Sequence, residues 1–127
     1  MSRNRPVRIV LLVLATLFVV ASLPAQTTLT ESQAYKKAEE YLLLHFQNEF
    51  MKTEVFKEKF GEIAWEDILQ DVMDSMDFVR DRKAEKNLYQ DKAYAFSGMM
   101  LELEILIDRI VLDKISGELQ DIEIMFW

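Results

Sequence analysis

Residues 91–116 read DKAYAFSGMMLELEILIDRIVLDKIS, and the fold class of the chain depends on what this stretch forms. Its apolar residues are Phe96, Met99, Met100, Leu101, Leu103, Ile105, Leu106, Ile107, Ile110, Val111, Leu112 and Ile115, and Gly117 follows as a residue suited to end a helix. At about 100° per residue these side chains wrap most of a helix circumference, leaving only Glu102, Arg109 and Asp113 on one polar line. A helix apolar nearly all round lies at the centre of a bundle or against a partner.

The flanking sequence supports the same helical reading. Thr30 with Gln33 three residues on is a capping-box signature. It opens a helix over about Glu31–Met51, with Ala34, Ala38, Tyr41, Leu42, His45 and Phe46 on one face. Thr53 caps a short second helix that ends at Gly61. A third, over about Glu62–Ala84, carries Trp65, Ile68, Leu69, Val72, Met76 and Val79 on its apolar side, and a charged connection, Lys83–Lys92, leads back to the opening stretch. Beyond Gly117 the tail ELQDIEIMFW alternates polar and apolar residues, which favours an extended segment docked on the core, or else a final helical turn. The expectation is therefore an all-α domain: a bundle of three to four helices over residues 26–127 with a short extended or helical tail.

Ahead of that domain stand Arg3, Arg5 and Arg8, then the apolar run Ile9–Leu23, then Pro24 and Ala25. A basic start, a short apolar run and a small residue read as a secretory signal peptide over residues 1–25, cut between Ala25 and Gln26. The fifteen-residue run falls short of the roughly 20 apolar residues that cross a bilayer. Leu23, bulky for the third position before a cut, leaves an uncleaved inner-membrane anchor as the alternative, the only membrane contact expected. Either way residues 26–127 are expected outside the cytoplasm, periplasmic or secreted.

Composition narrows the chemistry. The chain has no Cys and one His, so disulfides, thiolate nucleophiles, sulfur-ligated metals and two-His sites are excluded within it. Past residue 25 stand 12 basic against 22 acidic residues, a net charge of -10, which argues against nucleic acid as a partner. With glycine only at Gly61, Gly98 and Gly117, no phosphate-cradling loop and no nucleophile elbow can be written. The expectation is a protein that is not an enzyme and carries no cofactor.

Two constellations remain. His45 and Glu49 are i, i+4 neighbours in the first helix, as are Glu104 and Asp108 in the expected last one. If those faces met, one imidazole and three carboxylates would converge, a donor set for a divalent cation or a setting that raises a carboxylate pKa. The plainer use is structural polar contacts. Asp67, Asp71, Asp74 and Asp81, with Phe78 among them, line the side of the third helix opposite Trp65, either as a solvated face or as a docking stripe for a basic partner with Phe78 as its anchor. The apolar end, Phe126 and Trp127, needs its own core or a partner to cover it. The functional expectation is an exported, acidic adaptor, accessory subunit or chaperone-like factor that binds another protein or a second copy. The alternative is a helical bundle binding a metal or small ligand through His45, Glu49, Glu104 and Asp108.

Overall fold

The computed structural model describes residues 27–127, of which 49% are helical and 30% lie in strands, so the domain is mixed α/β and not an all-α bundle. The expected signal peptide over residues 1–25 lies outside the described residues. Helix α1 (Glu31–Asn48) is followed by a 3₁₀ turn at Phe50–Lys52, then α2 (Glu54–Phe60) and α3 (Trp65–Ser75). Strand β1 (Met76–Arg80) leads through a helical turn at Arg82–Ala84 and a π turn at Glu85–Tyr89 to β2 (Ala93–Met100), β3 (Ile105–Asp113) and β4 (Leu119–Phe126). Each strand pairs antiparallel with the next in sequence, so the sheet is a four-stranded meander in the order β1-β2-β3-β4.

The first two helices form where their caps place them. The Thr30 hydroxyl accepts from the Gln33 N–H at 3.1 Å while the Gln33 side chain accepts from the Thr30 N–H at 2.9 Å, closing the capping box. Thr53 caps α2 by accepting from the Phe56 N–H, and Gly61, at φ 73°, ends it. Along α1 the buried residues are Ala34, Ala38, Leu42 and Phe46, a strict i+4 ladder laid against the sheet.

The third expected helix stops early. After Ser75 the segment MDFVR is extended, with Phe78 buried between the exposed Asp77 and Val79, a period of two that ends helical packing and starts β1. The Glu62–Ala84 helix is thus corrected to Trp65–Ser75 plus a strand.

The larger correction concerns residues 91–116, which form the β2–β3 hairpin. Their apolar residues fill two faces, which hides the alternation expected of a half-exposed strand. Tyr94, Phe96 and Met100 with Ile105, Ile107, Ile110 and Leu112 belong to the helix-covered core, while Ala93, Ala95 and Val111 form a separate small cluster on the other face beneath Ala84 and Tyr89. A β-bulge then shifts the phase. Phe96 stands opposite Ile110 and Gly98 opposite Ile107, so β3 places Asp108 and Arg109 against the single Ser97. The inward residues therefore fall at 105, 107, 110 and 112, and the step of three imitates helical spacing. The turn carries no sequence flag: Leu101–Leu103 is a 3₁₀ turn and Glu104 takes the left-handed conformation at φ 55°, where Gly or Asn is usual. The density of β-branched residues in ILIDRIVLD, four of nine, is the signal for a strand.

The tail is β4, extended as its alternation implies, with Leu119, Ile122, Ile124 and Phe126 packed on the core. An extra residue near Gln120 adjusts its register, because Val111 pairs with Asp121 and Leu112 with Leu119. Gly117, expected to end a helix, instead turns the chain from β3 into β4 at φ 72°.

At Gly98 the backbone of β1 leaves no room for a side chain on β2. A methyl group there would collide with the Asp77 carbonyl oxygen and lie 2.6 Å from Phe78 Cα, both backbone atoms that move only with the strand. Gly98→Ala is expected to lower the unfolding free energy by about 2 kcal/mol, read by urea titration, because overpacking displaces β1. An unchanged midpoint would show that the strands do not meet there.

Candidate interaction surface

The sheet has two unequal faces. One is covered by the helices. Among the described residues the other is covered at one end, where Ala84 and Tyr89 lie over Ala93, Ala95 and Val111. At the opposite end the register aligns Asp77 with Met99, Met99 with Leu106 and Leu106 with Met125. Met99 is 41% and Met125 37% exposed, and Leu106 between them is partly exposed. Val79, Leu101 and Trp127, at 66%, 66% and 53%, extend the apolar character on β1 and at the turn end of the sheet. Three neighbouring strands thus present one apolar row to solvent, in the place where a fully solvated face would carry polar side chains.

Beside this row lies an ion cluster held by the bulge. Arg109 Nε donates to Asp121 Oδ2 at 2.5 Å, Nη2 lies 2.7 Å from Glu123 Oε2, and Nη1 reaches Asp108. The bulge is what brings Asp108 and Arg109 to this position, and Arg109 pairs in register with Glu123. The carboxylates hold the guanidinium above its usual pKa, chiefly through the hydrogen bond to Asp121. One cation stands among three anions. The cluster as a whole stays anionic.

The residues singled out from the sequence are scattered by this fold. His45 and Glu49 border a groove of about 460 Å³ together with Phe50, Thr53, Val55 and Phe126. Glu104 sits in the β2–β3 turn, paired with Lys59 at 3.4 Å, and its carbonyl accepts from the Trp127 N–H at 3.2 Å. Asp108 belongs to the Arg109 cluster. The convergence of His45, Glu49, Glu104 and Asp108 requires two facing helices, and one of those helices is a hairpin. Among the described residues no group of three or more His, Asp or Glu is placed to hold a metal ion.

The acidic stripe divides in the same way. Asp67, Asp71 and Asp74 are exposed on α3, with Asp74 accepting from Gln70 Nε2 at 2.8 Å. Phe78 is not an anchor on that face: it is buried in β1, stacked on Tyr35 at 4.5 Å and edge-on to Phe96 at 5.8 Å. Asp81 caps the turn after β1 by accepting from the Ala84 N–H at 3.0 Å, and also from the Ser97 hydroxyl at 3.3 Å. Phe126 lies among Phe50, Phe56 and Phe60, with Lys59 Nζ 4.6 Å from its ring centre. Trp127 alone of that terminal pair is an exposed aromatic. The Met99–Leu106–Met125 row is not legible when residues 91–116 are read as one helix, because it exists only through strand register.

His45 is half-buried on α1, and burial lowers its pKa, with the nearby Glu49 carboxylate opposing the shift. A histidine whose folded pKa is depressed binds its proton more readily once unfolded. Its contribution is therefore present above the ordinary pKa of about 6.5 and is lost as pH falls through the lower folded value. Thermal melts between pH 7.5 and pH 5 are expected to show part of the acid-side loss abolished in His45→Gln. An identical pH profile in the variant would remove His45 from the acid response.

No helix among the described residues is long and apolar enough to cross a membrane. Compared with known proteins, the chain matches no family model, no curated protein and no solved structure.

Proposed function

We propose that this protein is an exported, non-enzymatic binding module that engages another protein through the uncovered end of its sheet. The observation that carries the reading is the Met99–Leu106–Met125 row, three side chains aligned across adjacent strands, with the two methionines exposed and Leu106 between them partly so. Leaving such a row exposed costs solubility and makes sense where a partner buries it. Methionine suits a contact surface because its unbranched, polarizable side chain adapts to the shape it meets. The export part of the reading rests on Arg3, Arg5, Arg8 and the run Ile9–Leu23. Intact mass of the exported product tests it, with loss of residues 1–25 expected and full-length mass in the cytosol contradicting it.

Photo-crosslinking tests the surface. A benzophenone side chain placed at 99 or 125 is expected to trap a discrete protein adduct in the native compartment, and the same group at Met73, exposed on α3, is not. Adducts of equal yield from all three positions, or from none, would overturn the assignment of this face.

A further inference from the structure

Resting on that reading, we propose that the partner presents a cationic amphipathic helix to the open end of the sheet. Two independent features of the surface specify it. The first is spacing. Met99, Leu106 and Met125 occupy neighbouring strands, so they recur at roughly 4.8 Å across the sheet. Apolar side chains at i, i+3/i+4 and i+7 on a helix recur at about 5–6 Å. A helix crossing the strands therefore seats its apolar stripe along the row, side chain on side chain.

The second feature is charge. Asp108, Asp121 and Glu123 all turn to Arg109, so three carboxylates share one guanidinium. Asp108 and Glu123 lie two residues along their strands from Leu106 and Met125, roughly 7 Å, within reach of a lysine or arginine on the flank of a seated helix, and Asp121 lies two residues further along β4. Asp77 stands at the β1 end of the same row. The helix that fits is apolar on one stripe and basic on the adjoining side.

The same charges weigh against two other occupants. A second copy of this chain would bring its own carboxylate excess against the first, with 22 acids facing 12 bases on each side past residue 25. An anionic lipid surface would be repelled for the same reason, since its recognition needs Lys/Arg clusters.

The test uses the full chain with its methionine methyl groups isotope-labelled, titrated with an 18-residue Lys/Leu peptide patterned as an amphipathic helix. The control is a Glu/Leu peptide with the same apolar pattern. Expected are shifts of the Met99 and Met125 methyl signals with Met51 and Met73 unmoved, affinity for the Lys/Leu peptide at least tenfold above the control, and weakening as salt rises. The double variant Asp121→Asn, Glu123→Gln is expected to weaken binding by about fivefold, and Met125→Lys by about tenfold or more. The two proposals fail separately. Equal binding of both peptides at Met99 and Met125, or no loss in the Asp121/Glu123 variant, overturns the cationic partner and leaves the binding face standing. Concentration-dependent dimerisation that moves the same two methyl signals also overturns the cationic partner, with a second copy as occupant of the face. Signals at Met99 and Met125 that no peptide and no dilution moves would overturn both.

Discussion

Phe46→Ala is expected to reduce the unfolding free energy by about 4 kcal/mol, the largest single-site loss in the domain. Phe46 is completely buried and ends the Ala34, Ala38, Leu42 ladder of α1. Its ring lies 5.4 Å from Phe50, 5.7 Å from Phe56 and 5.9 Å from Trp65, so one side chain joins α1 to the 3₁₀ turn, α2 and the start of α3. Phe50 and Phe56 pass the packing on to Phe126 at 5.2 and 6.5 Å, which makes β4 dependent on the same cluster. Truncation leaves a cavity walled by rigid rings, which collapse poorly, and the cavity cost adds to the lost transfer energy. Urea unfolding followed by far-UV circular dichroism measures it, with a lower midpoint and an unchanged slope expected. A loss below about 1.5 kcal/mol would mean that the site relaxes and that α2 and β4 are not coupled through it. Phe46→Leu, which keeps most of the volume, is expected to recover more than half of the stability.

That cluster also separates what is legible in the sequence from what is not. The residues of α1 and α2 announce themselves because their signals are local: Thr30 with Gln33, Thr53 with Gly61, and an apolar repeat at 34, 38, 42 and 46. The sheet does not, because its signals are relational. Ile107 and Ile110 face the same core only because Asp108 is the extra residue of a bulge, and a spacing of three without knowledge of the partner strand reads as helix. Glu104 at positive φ conceals the turn that glycine would have marked. Even Phe78, expected as the anchor of an acidic helix face, changes meaning when Met76–Arg80 becomes a strand, since alternation then buries it and exposes Val79 instead. The candidate surface follows the same logic. Phe126 and Trp127 stand out in the sequence as an apolar end in need of cover, but Leu106 and Met125 are 19 residues apart along the chain and meet only through pairing.

The segment that covers the other end of the open face depends on one buried carboxylate, and loss of the support for that carboxylate is the second large expected effect. Arg80→Ala is expected to cost about 3 kcal/mol, because it strands Glu85, which is 2% exposed, without its main partner. Arg80 Nε donates to Glu85 Oε2 at 2.7 Å and Nη2 to Oε1 at 3.1 Å, a bidentate pair that holds the π turn against the end of β1. Lys114 Nζ stands further off at 3.8 Å and cannot replace that geometry. The same two cations lie 4.9 and 5.1 Å from the Tyr94 ring centre, and Tyr94 donates from its hydroxyl to the Leu29 carbonyl at 2.5 Å. Losing Arg80 therefore loosens β1, the segment over Ala93 and Ala95, and the lead into α1 together. Removing both charged groups tests whether the cost is that of an unpaired charge: Arg80→Met with Glu85→Leu is expected to be markedly more stable than Arg80→Ala alone. If the double variant is as unstable as the single one, the contribution of Arg80 lies in its packing on Tyr94 and not in the pair. Tyr94→Phe then separates the remaining anchor, since it keeps the ring under both cations and deletes only the bond to Leu29.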